Sequence, residues 1–235
     1  MFPEFSFSSI NCNSLNMSLI SSNHQRLKIY GIVKLKTDFI LLSDIRLNTA
    51  NNGNNVQKLQ NIFQINPYQS YNLLHNSVSN SRGVGVLIKN NLNVTAAVVD
   101  GDVDCNIIAV RMSTAGKDFL LICIYGPNKN SNTFFPYLSN ILSRFKNIPV
   151  IIGGDWNCTV STLGARNNPD VFDMVDVPNL RHSRQLSDIC AEFSLCDPFR
   201  CFHLHRSDFS YTSRIPGNTN KSRIDFFYHE SMPIC

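Results

Sequence analysis

The segment IPVIIGGDWNC, Ile148 to Cys158, runs apolar and largely β-branched into two glycines, then turns polar at Asp155 and Asn157 on either side of Trp156. A run of that length and composition reads as a buried strand. The polar pair therefore stands where a buried strand stops, and the question is what an acid and an amide do there.

Working outward, further apolar segments of strand length recur between turn signals: Phe5 to Cys12, Thr37 to Leu42, Gly83 to Lys89, Asn106 to Met112 and Asp118 to Tyr125. Near the end, Phe209 to Thr212 and Arg223 to Tyr228 read as strands around an Ile215-Pro216-Gly217-Asn218 turn. Three stretches carry helical spacing: His24 to Leu35, with Leu27, Tyr30 and Val33 on one face; Thr133 to Phe145; and Ser183 to Phe193, with Leu186, Ile189, Cys190 and Phe193 on one face. Asn-rich patches at Asn48 to Asn55 and Asn128 to Asn132 read as surface loops. Many strands with few interspersed helices imply an α/β fold of two facing sheets with helices outside, because each sheet must bury both faces.

The chain of 235 residues has room for one large domain or two small ones, and the unbroken composition favours one, spanning residues 1–235. With 43% hydrophobic and 16% charged residues it is a folding sequence, not a disordered one. The net charge of +4 suits a polyanionic partner without reaching the strongly basic balance of dedicated DNA-binding modules. Eight cysteines contain no C-x-x-C pair, and Cys12, Cys105 and Cys123 lie in apolar runs where a free thiol acts as a small hydrophobe, which reads as reduced and intracellular. The cluster Cys196, Cys201, His203, His205 is the one place for a zinc site, though its spacing matches no standard pattern. No apolar stretch is long enough for a membrane span, so no membrane partner is expected.

Polar residues close several strands in the same sense. Asn11 and Asn13 end SSINCNSL, Asp44 follows ILLSDIRL, Tyr125 and Asn128 end ICIYGPN, Asp155 and Asn157 end IIGGDWN, and Asp225 stands in SRIDFF. Each alone has an ordinary structural reading as turn former, helix cap or half-buried tyrosine. Together they suit attack on a phosphodiester: carboxylates hold a hard cation such as Mg²⁺, amides orient water and phosphoryl oxygens, and a carboxylate takes the water's proton. The glycines before Asp155 permit close approach of backbone or substrate.

In this order, INCNSL, LLSDIRL, IYGPN, IGGDWN and SRIDFF resemble the motif series of the endonuclease/exonuclease/phosphatase superfamily, and most closely the apurinic-endonuclease-type nuclease domain of non-LTR (LINE-type) retrotransposons, over about Phe5 to Tyr228. The resemblance implies a four-layer α/β sandwich and a Mg²⁺-dependent DNA endonuclease, with Mn²⁺ as a substitute, that nicks double-stranded DNA and leaves a 3′-hydroxyl. That end primes the reverse transcriptase region of the same polyprotein, on chromosomal DNA in the nucleus after synthesis in the cytoplasm. It implies that Asp155 deprotonates the attacking water and Asn157 fixes water or phosphate. Asn11 binds phosphate, Tyr125 donates its hydroxyl to a phosphate oxygen, Asn128 supports the DNA-facing loop, and Asp225 polarises a catalytic histidine. Asp44, with Asn13, takes the metal. Thr212, Arg214, Lys221 and Ser222, on the hairpin around RIPGNTNKS, contact DNA phosphates.

Three departures from the family pattern stand out. Asp44 replaces the usual glutamate and is one methylene shorter. Asn13 stands where repair members carry an acid, which favours the transposon branch. No Asp-His strand follows Asp225, so the chain is expected to be truncated at its C-terminus and weakly active at best. His182, between Arg181 and Arg184, is expected at an exposed helix start. Alternatives are a repair-type abasic endonuclease or another phosphodiesterase of the superfamily, or an inactive transposon-derived copy that only binds nucleic acid.

Overall fold

The strand carrying Asn11, β1 (Phe7–Asn11), crosses over through helix α1 (Asn23–Lys34) to the parallel strand β2 (Phe39–Ser43), a βαβ unit in which Asn11 lies opposite Ser43. The computed structural model describes residues 4–15, 23–49, 54–64, 69–160, 169–172, 180–203, 206–212 and 221–230. The chain divides into two units, Met1–Tyr125 and Gly126–Cys235.

In the first unit, helix α2 (Asn54–Gln64) leads to β3 (Tyr71–Asn76) and β4 (Val84–Lys89), and the sheet order β1-β2-β4-β3 is mixed: β1 is parallel to β2, while β4 runs antiparallel to both β2 and β3. Strand β2 reads FILLS without alternation because it is buried along its whole length. Strands β5 (Thr95–Gly101), β6 (Ile107–Thr114) and β7 (Lys117–Tyr125) follow as an antiparallel meander with a bulge between Val98 and Asp100. A core of Ile29, Ile32, Leu42, Leu59, Phe63 and Leu87, among others, fills the space between α1, α2 and the mixed sheet.

Two sequence expectations are corrected here. Leu27 and Tyr30 do not face the core: they are 67% and 47% exposed, whereas Gln25, Ile29, Ile32 and Val33 are buried. The apolar residues of α1 go round much of the helix, so spacing alone admits two stripes and tertiary packing selects one. The Asn-rich patch from Asn48 is not loop to its end, since α2 begins at Asn54. Val56, Leu59 and Phe63 recur at helical spacing among amides, and Leu59 and Phe63 are fully buried.

The second unit contains α3 (Phe134–Arg144), β8 (Val150–Asp155), β9 (Val171–Phe172), α4 (Leu180–Glu192), β10 (Leu195–Cys196), α5 (Pro198–Phe202), β11 (Tyr211–Thr212), β12 (Lys221–Ser222) and β13 (Asp225–Glu230). Strand β13 lies antiparallel to both β8 and β10, and β12 pairs with β9 and β11 in a small three-stranded sheet. Helix α3 buries Phe134, Phe135, Leu138, Ile141 and Leu142, and α4 buries Leu186 and Ile189. His182 corrects a further expectation: it is fully buried, its Nε2 accepts the Ser131 backbone N–H at 3.1 Å, and its ring lies 5.3 Å from that of Phe135. Among the described residues no helix is long and apolar enough to cross a membrane.

A buried charge network ties the small sheet to α5. Arg223 is 6% exposed and donates Nε to Asp170 Oδ1 at 2.6 Å, and its Nη2 pairs with Asp197. Asp197 Oδ1 in turn caps α5 by accepting the N–H groups of Phe199 and Arg200, with Pro198 in the first helical turn. Arg200 also pairs with Asp170, and the Arg223 guanidinium lies over the rings of Phe199 (4.8 Å) and Phe226 (4.5 Å). Arg223 serves both carboxylates, and while Asp170 takes Arg200 as well, Asp197 takes its guanidinium from Arg223. Arg223→Met is therefore expected to lower unfolding stability by about 3–5 kcal/mol, because it strands buried charge; urea denaturation with a loss under 1 kcal/mol would contradict this.

Candidate active site

Two strand ends turn by the same local device. After β1, Asn11 Oδ1 accepts the N–H of Asn13 at 3.0 Å, and after β8, Asp155 Oδ1 accepts the N–H of Asn157 at 2.9 Å. In both, the second residue is left-handed, with φ 43° at Asn13 and 50° at Asn157. Asn and Asp are the residues that close such Asx-turns and tolerate that φ without a glycine. The N-x-N of INCN and the D-x-N of GDWN are thus turns first, and their polar atoms are held in place by the turn.

In the amino-terminal unit the turn after β1 is laced to the turn after β2. The N–H groups of Cys12, Ser14 and Leu15 donate to the carbonyls of Ser43, Asp44 and Ile45, each at 2.8 Å. Beneath it, Lys28 of α1 donates Nζ to the carbonyls of Cys12 (3.1 Å), Asn13 (3.0 Å) and Ser14 (3.2 Å), so that all three ammonium protons are placed. Lys28 escapes sequence reading because nothing in its local pattern sets it apart from a solvated helix lysine. Asn11 and Asn13 are exposed above this support.

Asp44 is 3% exposed and left-handed, with φ 55°. Both its oxygens accept from Arg46, itself at φ 52°: Nε to Oδ1 at 2.8 Å and Nη2 to Oδ2 at 2.7 Å. The Tyr125 hydroxyl at the end of β7 also bonds Arg46, and these partners hold the guanidinium pKa above its ordinary value, Asp44 contributing most. A carboxylate oxygen keeps a second lone pair beyond each Arg46 bond. The donor set, a buried carboxylate beside an amide-bearing turn, suits Mg²⁺ or Mn²⁺ in kind, while Arg46 contends for the same carboxylate.

In the carboxy-terminal unit Asp155 ends β8 at 2% exposure, and its register partner on β13 is Asp225. Gly154 reaches φ 140°, which its lack of a Cβ permits. The Asp155 carbonyl accepts the Gly126 N–H at 2.6 Å, and Asn157 Nδ2 donates to the Gly126 carbonyl at 2.7 Å. A Cβ on Gly126 would fall well inside contact distance of the Trp156 carbonyl, so the glycine of YGPN is there for this close approach. Trp156, fully buried and edge-on to Tyr228 at 5.3 Å, anchors the turn between the acid and the amide, and its backbone N–H donates to the Ile224 carbonyl at 2.7 Å. Asn128 is exposed in the bend that follows.

Asp225 is held by Ser210, whose Oγ accepts the N–H groups of both Ile224 (3.0 Å) and Asp225 (3.1 Å). Its Oδ1 is buried and takes no hydrogen bond among the described residues. Burial pushes the carboxyl above its ordinary value of 3.8, and the Ser210 hydroxyl pulls the other way. On the small sheet Thr212 is exposed and Lys221 half-buried, while Ser222, expected at the surface, is 2% exposed. Ser222 is adjacent to the buried Arg223 and faces inward at the foot of the hairpin, which corrects its reading as a phosphate contact. Arg214 lies outside the described residues, as does His205. Among the described residues no group of three or more His, Cys, Asp or Glu side chains is placed to hold a metal, which leaves the Cys196–His203 region without a zinc cluster.

Comparison with solved structures decides the architecture. The AP endonuclease LMAP of Leishmania major superposes with a TM-score of 0.73 over 97% of this chain and 79% of its own, at 15% identity. The chain has the AP-endonuclease fold. This α/β sandwich of mixed sheets with flanking helices is the class expected from the motif series. The endonuclease domain of TRAS1, a telomere-specific non-LTR retrotransposon, shares the fold with a TM-score of 0.62 over 97% of this chain and 86% of its own, at 11% identity. In sequence, the transposon TX1 uncharacterized 149 kDa protein of Xenopus laevis is 30% identical over 130 residues, 53% of this chain and 9% of that protein. No protein-family profile matches. The likeness to AP endonucleases and to the TRAS1 endonuclease domain is thus one of fold, and the likeness in sequence is to a transposon protein.

Two variants probe the geometry around the turn after β8. Gly126→Ala should lower stability by about 3 kcal/mol or more, read by urea unfolding, because backbone must move to admit the methyl. For Asp225, the penalty of burying the carboxyl's charge is absent below 3.8, where the group is protonated in both states, and grows as pH rises from there through the raised folded value, above which it is complete. Asp225→Asn is accordingly expected to stabilise the fold by about 1 kcal/mol at neutral pH, with the gain vanishing in acid. A gain equal at all pH values would rule out the ionisation argument.

Proposed function

We propose that this chain is a Mg²⁺-dependent DNA endonuclease domain of a non-LTR retrotransposon, which nicks one strand of chromosomal DNA in the nucleus and leaves a 3′-hydroxyl to prime reverse transcription by the adjoining region of its polyprotein. Fold likeness alone does not establish an activity. The observation that carries the reading is the pairing of Asp155 and Asp225 at facing register positions, with Asn157 locked beside them by the Asx-turn and Gly126.

In this reading Asp155 takes the proton of the attacking water, and the Asn157 backbone bond to Oδ1 fixes the plane of the carboxylate that does so. The Asn157 amide, tethered through Nδ2 to the Gly126 carbonyl, presents its position to water or phosphate. Asn11 and the Tyr125 hydroxyl bind phosphate oxygens, and Asn128, Thr212, Arg214 and Lys221 contact the duplex. Asp44, with Asn13, holds the Mg²⁺ or Mn²⁺ ion, whose chemistry when bound is to offset the charge that grows on the phosphate. The buried Asp225 Oδ1 is an acceptor suited to the N–H of an imidazole.

Nicking of supercoiled plasmid in Mg²⁺ tests this. Nicking is expected to need the metal and to leave ends that a DNA polymerase extends. Asp155→Asn keeps the turn acceptor and removes the base, and should slow nicking about 10²–10⁴-fold. Equal rates for the two proteins would overturn the role of Asp155. An abasic duplex cleaved far faster than plasmid would move the assignment to repair, and no cleavage of either would favour the non-catalytic alternative.

A further inference from the structure

The metal-binding carboxylate proposed above is already spoken for. Asp44 and Arg46 are two residues apart, both left-handed, and the backbone between them is pinned: the N–H groups of Ile45 and Arg46 donate to the carbonyls of Gly83 (3.0 Å) and Arg82 (2.7 Å). With the backbone fixed, only side-chain rotation can separate the pair. The contact is a two-bond fork onto a carboxylate that sits close to its own backbone because it belongs to Asp and not to the longer Glu. The Asp44 side chain is 5% exposed and that of Arg46 38%, so a polyanion reaches the guanidinium before anything reaches the carboxylate.

We propose that Arg46 is a displaceable counter-ion that closes Asp44 to divalent metal until a nucleic-acid phosphate draws the guanidinium away. This rests on the nuclease reading. A dication and a guanidinium sharing one buried carboxylate repel each other strongly where water screens little. The fork that fits a carboxylate fits a phosphate equally well, and a duplex offers many phosphates close together. Exchange of Arg46 from Asp44 to a phosphate therefore releases the carboxylate without leaving either ion unpaired. Metal and duplex then bind with positive coupling, each raising the affinity of the other by the same factor. Tyr125, bonded to Arg46 in the closed arrangement, lies where it can follow the guanidinium to the phosphate.

The test measures Mn²⁺ affinity, by the paramagnetic resonance signal of free Mn²⁺, on the whole chain in the Asp155→Asn background so that duplex is not consumed. Without DNA, Arg46→Met should bind Mn²⁺ about 10-fold more tightly than Arg46 protein, and Arg46→Lys, which keeps charge but not the fork, should fall between. Added short duplex should tighten Mn²⁺ binding about 10-fold in Arg46 protein and leave Arg46→Met nearly unchanged. Urea unfolding of each variant confirms a folded sample, and Arg46→Lys carries the comparison if Arg46→Met does not fold. Equal Mn²⁺ affinity with Met, Lys and Arg at position 46 overturns the proposal, as does Mn²⁺ binding that Asp44→Asn leaves intact. Plasmid nicking without the Mn²⁺ effect sinks this exchange alone; the Mn²⁺ effect without nicking sinks the nuclease reading alone.

Discussion

A strand that leaves a sheet must turn without orphaning its last backbone groups, and in this chain that constraint places the polar chemistry. The turns after β1 and β8 are closed by Asn11 and Asp155 accepting the N–H two residues on, with Asn13 and Asn157 in left-handed backbone. The turn after β2 places Asp44 and Arg46 in the same conformation. Only short polar side chains both close such a turn and tolerate its φ cheaply. The residue types that end the strands are thus also types whose chemistry suits phosphate, water or metal.

Around these turns the molecule distributes charge unevenly. Asp170 and Asp197 are matched by Arg223 and Arg200, a balanced network that seats α5 and the small sheet. Asp225 keeps a buried oxygen with no partner among the described residues, a costly arrangement for a carboxylate with only a structural task. Asp44 lies between these extremes, paired with a guanidinium that is itself partly open to solvent. Perturbed and exchangeable carboxylates at strand ends are where function is sought in an unassigned fold.

Much of the strand plan was legible because buried strands advertise themselves. FILLS, VGVLIK, FLLICIY and VIIGGD are unbroken apolar runs, and each forms a strand within two residues of the expected bounds. Elements whose burial is partial or whose signal is diluted were harder. Helix α2 hides two core residues, Leu59 and Phe63, among Asn and Gln, β5 is exposed along most of its length, and β9 and β10 are two residues each. The short helix α5 did carry a readable signal, an Asp197 cap before Pro198.

The sequence by itself determined which strands end in polar turns and in what order, since the acids and amides at Asn11, Asp44 and Asp155 follow directly on apolar runs, and Asp225 opens one. Only the tertiary structure decided their partners. That Arg46 forks onto Asp44, that Lys28 gathers three carbonyls from a turn many residues away, that Ser222 points inward and His182 is buried, all depend on where long side chains and neighbouring elements meet in space. The physical reason is range: strand and turn follow from the rotations and burial of adjacent residues, whereas the pairing of a charge depends on which opposite charge folding brings within about 3 Å of it.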